Sequence, residues 1–205
     1  MKFSIEELRP TRNGMTISRD SKLGNSTKVT YFSMGKDTSI SQESYDRMTM
    51  YIGASGWGEF IIGEEPEIIK LQPDELLIVP AGTLCGMQTS NGIVYTEIIC
   101  TGKDINMNAN VKTNEVFALK NLISYEEGSI ANMDVVSTPD MKYVLMAFDE
   151  GTGLTPHRAP GNAIVFALEG KATIGYEGKD YELSEGECFR FEKNGLHSVT
   201  ANGKF

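Results

Sequence analysis

Sliding the chain along itself by 114 residues lays a second copy of its pattern over the first. Phe3-Ser-Ile-Glu-Glu-Leu8 meets Phe117-Ala-Leu-Lys-Asn-Leu122. Without a gap, Gly14 then meets Gly128, Asp20 meets Asp134, Lys28 meets Lys142, Thr38 meets Thr152, and Gly56 meets Gly170. A loop two residues shorter brings Leu71 onto Leu183, Glu75 onto Glu187 and Leu84 onto Leu196, and one further deletion matches Asn91-Gly92 to Asn202-Gly203. The identities are few, but they hold one register and fall on turns and apolar positions. Solenoid repeats have periods of roughly 20–50 residues, so a period this long means two copies of a whole domain. The 205 residues therefore divide into two domains, each of an ordinary small-domain size.

Within each copy, short apolar runs alternate with Gly, Asn, Asp or Pro. They lie at residues 29–32, 48–52, 59–62, 76–79 and 93–100, and again at 143–148, 163–168, 172–176 and 188–191. Runs of this length between turn residues predict strands, and their close spacing predicts a sandwich or barrel. Helical periodicity is confined to short pieces at residues 5–8 and 116–122. The polar stretch 101–113 has the composition of a linker. The predicted organisation is a first domain over 1–100, a linker over 101–116 and a second domain over 117–205. The first copy runs past Asn91-Gly92 into the apolar run 93–100, whereas the second stops at Phe205. A barrel without its last strand has an unpaired edge. Either the sequence is truncated there or a strand from elsewhere fills the place, and truncation is the expectation.

Formal net charge is −9, and no basic block interrupts it. An acidic surface repels phosphate backbones and anionic lipid, so neither nucleic acid nor membrane is an expected partner. Cys85, Cys100 and Cys188 are widely spaced and odd in number, which is no disulfide framework and suits a reducing, cytoplasmic setting. The first eight residues have no apolar signal core.

The chain has two histidines, His157 and His197, both in the second copy. Each follows a glycine-bounded strand, and on neighbouring strands they can converge; imidazole is the commonest metal ligand. Cys188 and Arg190 alternate with Phe189 and Phe191, so the two pairs face opposite sides of a strand. If the aromatics fill the core, Arg190 is solvated; if Arg190 points inward, it holds an anionic group of a ligand. Cys85 reads as a small buried residue, because a catalytic thiol needs a nearby base and both histidines belong to the other copy.

These residues resemble the motifs of the cupin superfamily, G-x5-H-x-H-x3,4-E-x6-G followed by G-x5-P-x-G-x2-H-x3-N. Gly151, His157, Gly170, Gly186 and His197 fall on that spacing. The second histidine of the motif is Ala159 here, its glutamate Ala163, its final asparagine Ala201, and its Pro and Gly are Glu192 and Asn194. The first copy keeps Gly56, Pro80 and Gly82, with Glu43, Tyr45, Thr49 and Cys85 at the ligand positions and Asp37 and Asp74 for the glycines. The resemblance implies an all-β chain of two tandem cupin barrels (a bicupin of double-stranded β-helix, or jelly-roll, domains), with short helices at the start of each repeat. It also implies a divalent metal (Zn, Ni, Fe or Mn) held by three histidines and a glutamate. His157 and His197 would be two of those ligands, and Glu187, Glu192, Cys188 or a bound substrate are the candidates for a third. Tight sites need three or four protein ligands. The leading expectation is a small molecule bound in the second barrel through His157 and His197, with Arg190 as a further contact. A divalent-metal isomerase, dioxygenase or decarboxylase remains open, as does a structural or dimerising barrel protein. Edge strands permit a homodimer.

Overall fold

The computed structural model describes residues 1–23, 27–102 and 104–205; residue 103 of the expected linker lies outside them. The chain is all-β. Its strands are β1 (Lys2–Phe3), β2 (Thr16–Asp20), β3 (Lys28–Met34), β4 (Thr38–Ser44), β5 (Thr49–Gly56), β6 (Gly58–Ile62) and β7 (Glu67–Leu71). There follow β8 (Glu75–Val79), β9 (Leu84–Thr89), β10 (Ile93–Ile99), β11 (Asn106–Met107), β12 (Val116–Ala118), β13 (Ile130–Thr138) and β14 (Met141–Phe148). The last six are β15 (Gly153–Arg158), β16 (Ala163–Phe166), β17 (Lys171–Tyr176), β18 (Lys179–Ser184), β19 (Cys188–Phe191) and β20 (Leu196–Ala201). One helical turn, α1, covers Ile5–Leu8, and a 3-10 turn covers Leu119–Asn121. Among the described residues no helix is long and apolar enough to cross a membrane.

Two compact units emerge. The first comprises Ile5–Leu119 with Asp134–Tyr143. Its larger sheet has the order β12-β8-β5-β10-β3-β2 and its smaller one β4-β9-β6-β7. Central strands of a covered sheet are apolar on both faces, and β5 and β10 obey this: the first five residues of β5 and the first six of β10 are buried. Met34, Tyr51, Leu77, Val79, Ile93 and Tyr95 from the larger sheet pack against Phe60, Ile62, Leu71 and Met87 from the smaller. Fully burying one such side chain contributes about 1.5–3 kcal/mol, so this cluster is what holds the two sheets together.

The second unit comprises Met1–Ser4, Lys120–Met133 and Val144–Phe205. Its sheets are β1-β19-β16 and β15-β20-β17-β18. Phe148, Phe189 and Phe191 pack against Ala172, Ile174, Leu183, Val199 and Ala201. The leading strand of each sequence copy serves the other copy. β12 pairs antiparallel with β8, Phe117 opposite Leu76, while β1 pairs with β19, Phe3 opposite Cys188. The Met1 ammonium donates to the Arg190 carbonyl, and Lys2 bridges to Glu187 at 2.8 Å.

The duplication is visible in backbone conformation even where residues differ. Asp37 and Gly151 share positive φ (57° and 74°), as do Asp74 and Gly186 (59° and 79°), and Gly82 and Asn194 (76° and 60°). Asp and Asn tolerate this left-handed region better than other non-glycine residues, so the turns survive loss of the motif glycines. The final alignment step differs from expectation. A methyl group on Gly56 would lie 2.1 Å from the Gly92 carbonyl oxygen, and one on Gly170 would lie 2.0 Å from that of Lys204. Lys204, not Gly203, is thus the counterpart of Gly92, and no further deletion is needed.

In the first unit β10 lies between β5 and β3. Among the described residues, no strand lies between their counterparts in the second, β16 and β14. β16 is accordingly half-buried along its whole length. Phe205 enters this place: its N–H donates to the Phe148 carbonyl at 3.0 Å and its carbonyl accepts from the Phe148 N–H at 2.7 Å. The counterpart pair in the first unit is Ile93 opposite Met34.

β10 also carries Glu97, 4% exposed and opposite both Thr30 and Tyr51. Burial pushes its carboxyl up to about 7, with the Lys28 ammonium pulling the other way. Burial likewise raises the Tyr45, Tyr51 and Tyr95 phenols, and the nearby Glu97 charge adds to each. The Cys85 thiol is raised to about 11, which leaves it protonated and inert at neutral pH.

Two outcomes follow for stability. Gly170→Ala should cost roughly 2–5 kcal/mol, combining left-handed strain with a backbone clash, whereas Gly178→Ala, at φ 78° with open space around it, should cost about 1–2 kcal/mol; urea unfolding of both variants checks this. Because the folded state holds the Glu97 proton more tightly than the unfolded chain, stability present below about pH 4.5 should be lost as pH rises through about 7. The loss should be on the order of 3 kcal/mol. Unfolding curves for Glu97→Gln should be flatter across that window than those of the parent.

Candidate functional site

Strands β15 and β20 are neighbours, and His157 stands directly opposite His197. A register shift between Leu154 and His157 sets that pairing. The first unit has the same irregularity at the matching place, between Ile40 and Glu43, which puts Glu43 opposite Cys85. β-bulges bend a strand and re-aim its side chains. In both copies the bulge delivers the motif position to its partner, but only the second copy has imidazoles there.

The two rings lie 4.3 Å apart between centroids, tilted by 55°. Each Nδ1 is 2.8 Å from the carbonyl oxygen two residues earlier, Thr155 for His157 and Gly195 for His197. A carbonyl only accepts, so each Nδ1 carries the proton and donates. In the neutral rings both Nε2 atoms are then unprotonated acceptors. His197 is 8% exposed, while His157 is open to solvent. The site thus has a fixed inner imidazole and an accessible outer one.

Phe191 stacks on His197, with centroids 4.3 Å apart and planes 26° apart. On the far side of His197, Tyr176 of β17 is its cross-strand neighbour. Tyr176 meets Phe189 and Phe191 edge-on at 5.6 Å, and its hydroxyl accepts from the Glu192 N–H at 3.3 Å. A methyl group on Gly195 would come within 2.7 Å of the Tyr176 ring, so a glycine there lets the tyrosine lie against the turn. Tyr176 thus packs on the core. The alternation Ala172, Ile174, Tyr176 along β17 carried that signal, since Ala172 and Ile174 are fully buried.

Other candidates are not brought to the histidines. Phe189 and Phe191 fill the core, so Arg190 lies on the opposite face of β19, where its Nε donates to Glu192 at 2.8 Å. That ion pair also engages Glu192. Cys188 shares the Arg190 face, and its buried thiol is pushed up to about 12. Glu187 pairs with Lys2 and accepts from the Ser184 N–H. Ala163 packs against the core opposite Phe191. Among the described residues, no three of His, Cys, Asp and Glu are grouped so as to hold a metal ion. Two imidazoles alone do not meet the three- or four-ligand requirement of a tight site, so no metal-dependent step is derived from them.

The family model described as Cupin domain matches residues 144–205, the segment that carries both histidines. No curated protein sequence is detectably similar. Among solved structures, the chain is similar to a Cupin 2 conserved barrel domain protein from Leptotrichia buccalis, with a TM-score of 0.86 and 23% identity, covering 99% of this chain and 90% of that one. It is also similar to the salicylate 1,2-dioxygenase from Pseudaminobacter salicylatoxidans, with a TM-score of 0.67 and 10% identity over 88% of this chain and 69% of that one. A variant of Bacillus subtilis oxalate decarboxylase follows, with a TM-score of 0.57 and 12% identity over 100% and 74%. At these identities the likeness is one of fold. Residues 144–205, which carry the paired histidines, thus match a cupin domain, and the chain as a whole shares its fold with these cupin structures.

Proposed function

We propose that the chain is a two-domain cupin, two tandem jelly-roll barrels each led by a short helical segment, whose second barrel binds a small molecule through His157 and His197. The observation that carries this is the fixed tautomer: both Nδ1 protons are committed to backbone carbonyls, which leaves two neighbouring Nε2 acceptors. Phe191 and Tyr176 add an aromatic wall beside the inner imidazole. Two acceptors beside an aromatic wall suit a compact molecule with two adjacent hydrogen-bond donors, such as a vicinal diol, a catechol or an amino alcohol. Arg190 has no part in this reading. Three free cysteines fit a cytoplasmic setting.

A second reading, a divalent-metal enzyme, draws on the same tautomer. A metal-ligating histidine usually donates its other ring N–H to a carbonyl or carboxylate, and both histidines do so here. The dioxygenase and the decarboxylase among the fold neighbours make it worth testing.

Thermal shift across a panel of diols, catechols and amino alcohols, with and without EDTA, separates the two. Binding at 100 times Kd adds about 2.7 kcal/mol, so the matching ligand should raise Tm by several degrees in the parent and not in His157→Ala or His197→Ala. EDTA should leave that shift unchanged. Near-stoichiometric metal in the parent, absent from His157→Ala, would establish the metal reading instead. No shift with any compound and no metal after incubation with Zn, Ni, Fe and Mn would overturn both.

A further inference from the structure

The face that the two sheets of the first unit turn toward each other changes character along its length. At one end Met34, Ile93 and Met87 belong to the apolar cluster. Side chains two residues apart on a strand share a face. Stepping by two from those residues leads past Tyr95 to Glu97 on β10, to Thr30 on β3 and to Cys85 on β9, with Tyr51 of β5 opposite Glu97. This second end is polar and reaches solvent, because Tyr45 is 36% exposed and Cys85 is half-buried. The Glu97 charge acts on Tyr45, Tyr51, Tyr95 and Cys85, so all five groups lie close together.

Two polar groups here lack a match in the chain. Thr30 is 5% exposed, and its hydroxyl has no hydrogen-bond partner among the described residues. Glu97 stands opposite Thr30 and is 4% exposed. Among the described residues its carboxyl accepts no hydrogen bond; burial and the Lys28 ammonium are what act on it. Lys28 stands one step further out, opposite Ile99, is exposed, and forms no ion pair with Glu97. Burying a carboxyl without a counter-charge is costly. Around it are hydroxyls that can accept, and aromatic rings whose faces are negative. Such a group in such a place is a mark of a binding site.

We propose that this end of the first unit binds the head of a small primary alkylammonium ion, held by the Glu97 carboxylate and the Thr30 hydroxyl beside the Tyr51 and Tyr95 rings. The two ring centroids are 6.1 Å apart, and a cation against such rings gains from their quadrupoles. A primary ammonium brings a positive charge and three donors in a compact head. A neutral alcohol leaves the carboxylate without a counter-charge, a quaternary ammonium has no N–H for Thr30, and a guanidinium is a broad planar fork. The apolar end is filled, with Met34 and Ile93 fully buried, so the alkyl tail leaves past Tyr45. Neither Glu97 nor Thr30 is a motif position, and no residue of the second unit takes part.

The test uses the whole protein and n-butylammonium chloride, with n-butanol as the neutral isostere and sodium chloride as the ionic-strength control. Calorimetry should show saturable binding of n-butylammonium, about tenfold or more tighter than n-butanol, given what a hydrogen bond to a charged group contributes. Tetramethylammonium should bind more weakly than n-butylammonium. Glu97→Gln, which keeps the shape and removes the charge, should weaken binding about tenfold or more, and Thr30→Val about threefold to tenfold. Glu97→Gln removes a buried charge and should stay folded, which its urea curve checks. Backbone amide resonances of Thr30, Tyr51 and Glu97 should move on titration, and His157→Ala should bind as the parent does. No saturable binding, equal affinity for n-butanol, or affinity unchanged in Glu97→Gln overturns the site. Tetramethylammonium binding as tightly as n-butylammonium overturns the primary-ammonium assignment. Binding lost in His157→Ala and kept in Glu97→Gln places the ion in the second unit and overturns the site equally.

Discussion

A strand hydrogen-bonded on both sides holds the first unit together. β10 pairs along its length with β3 and β5, so its N–H and C=O groups are satisfied and its neighbours are closed to water. Its side chains then do two jobs. Ile93 and Tyr95 join the core, while burial pushes the Glu97 carboxyl up to about 7. In the second unit β16 is half-buried, and Val144 and Met146 of β14 are exposed.

The two halves also share a device whose chemistry has diverged. Each breaks the register of an edge strand at the same point, after Ile40 and after Leu154, so that the motif residue faces a partner across the ladder. In one half the pair is Glu43 and Cys85, set beside three phenols and a buried carboxyl whose ionisation burial suppresses. In the other it is two imidazoles, each fixed by its own backbone, with Phe191 stacked on the inner one. The backbone geometry is common, and the residue choice decides which chemistry the position presents.

The fold and half of the candidate site are legible in the sequence because their signals are local. Short apolar runs between Gly, Asn and Asp require only neighbouring residues to announce strands, and a 114-residue repeat announces itself by register. The left-handed turns at Asp37, Asp74 and Asn194 persist without the motif glycines because their short polar side chains tolerate that conformation. The two histidines stand out because there are only two, and their spacing places them on the second copy.

What tertiary structure alone decided is which distant groups meet. The leading strands β1 and β12 each join the sheet of the other copy, since a two- or three-residue strand has no local pattern to say which edge it will complete. Alternation along β19 left Arg190 with two possible faces, and packing of Phe189 and Phe191 into the core chose the outer one. The sequence by itself determined the repeat, the strand-and-turn alphabet and the two imidazoles, because periodicity and turn chemistry act within a few residues. The pairing of those imidazoles and the loss of Arg190 from their company were settled by contacts between residues far apart in the chain, which no local pattern encodes.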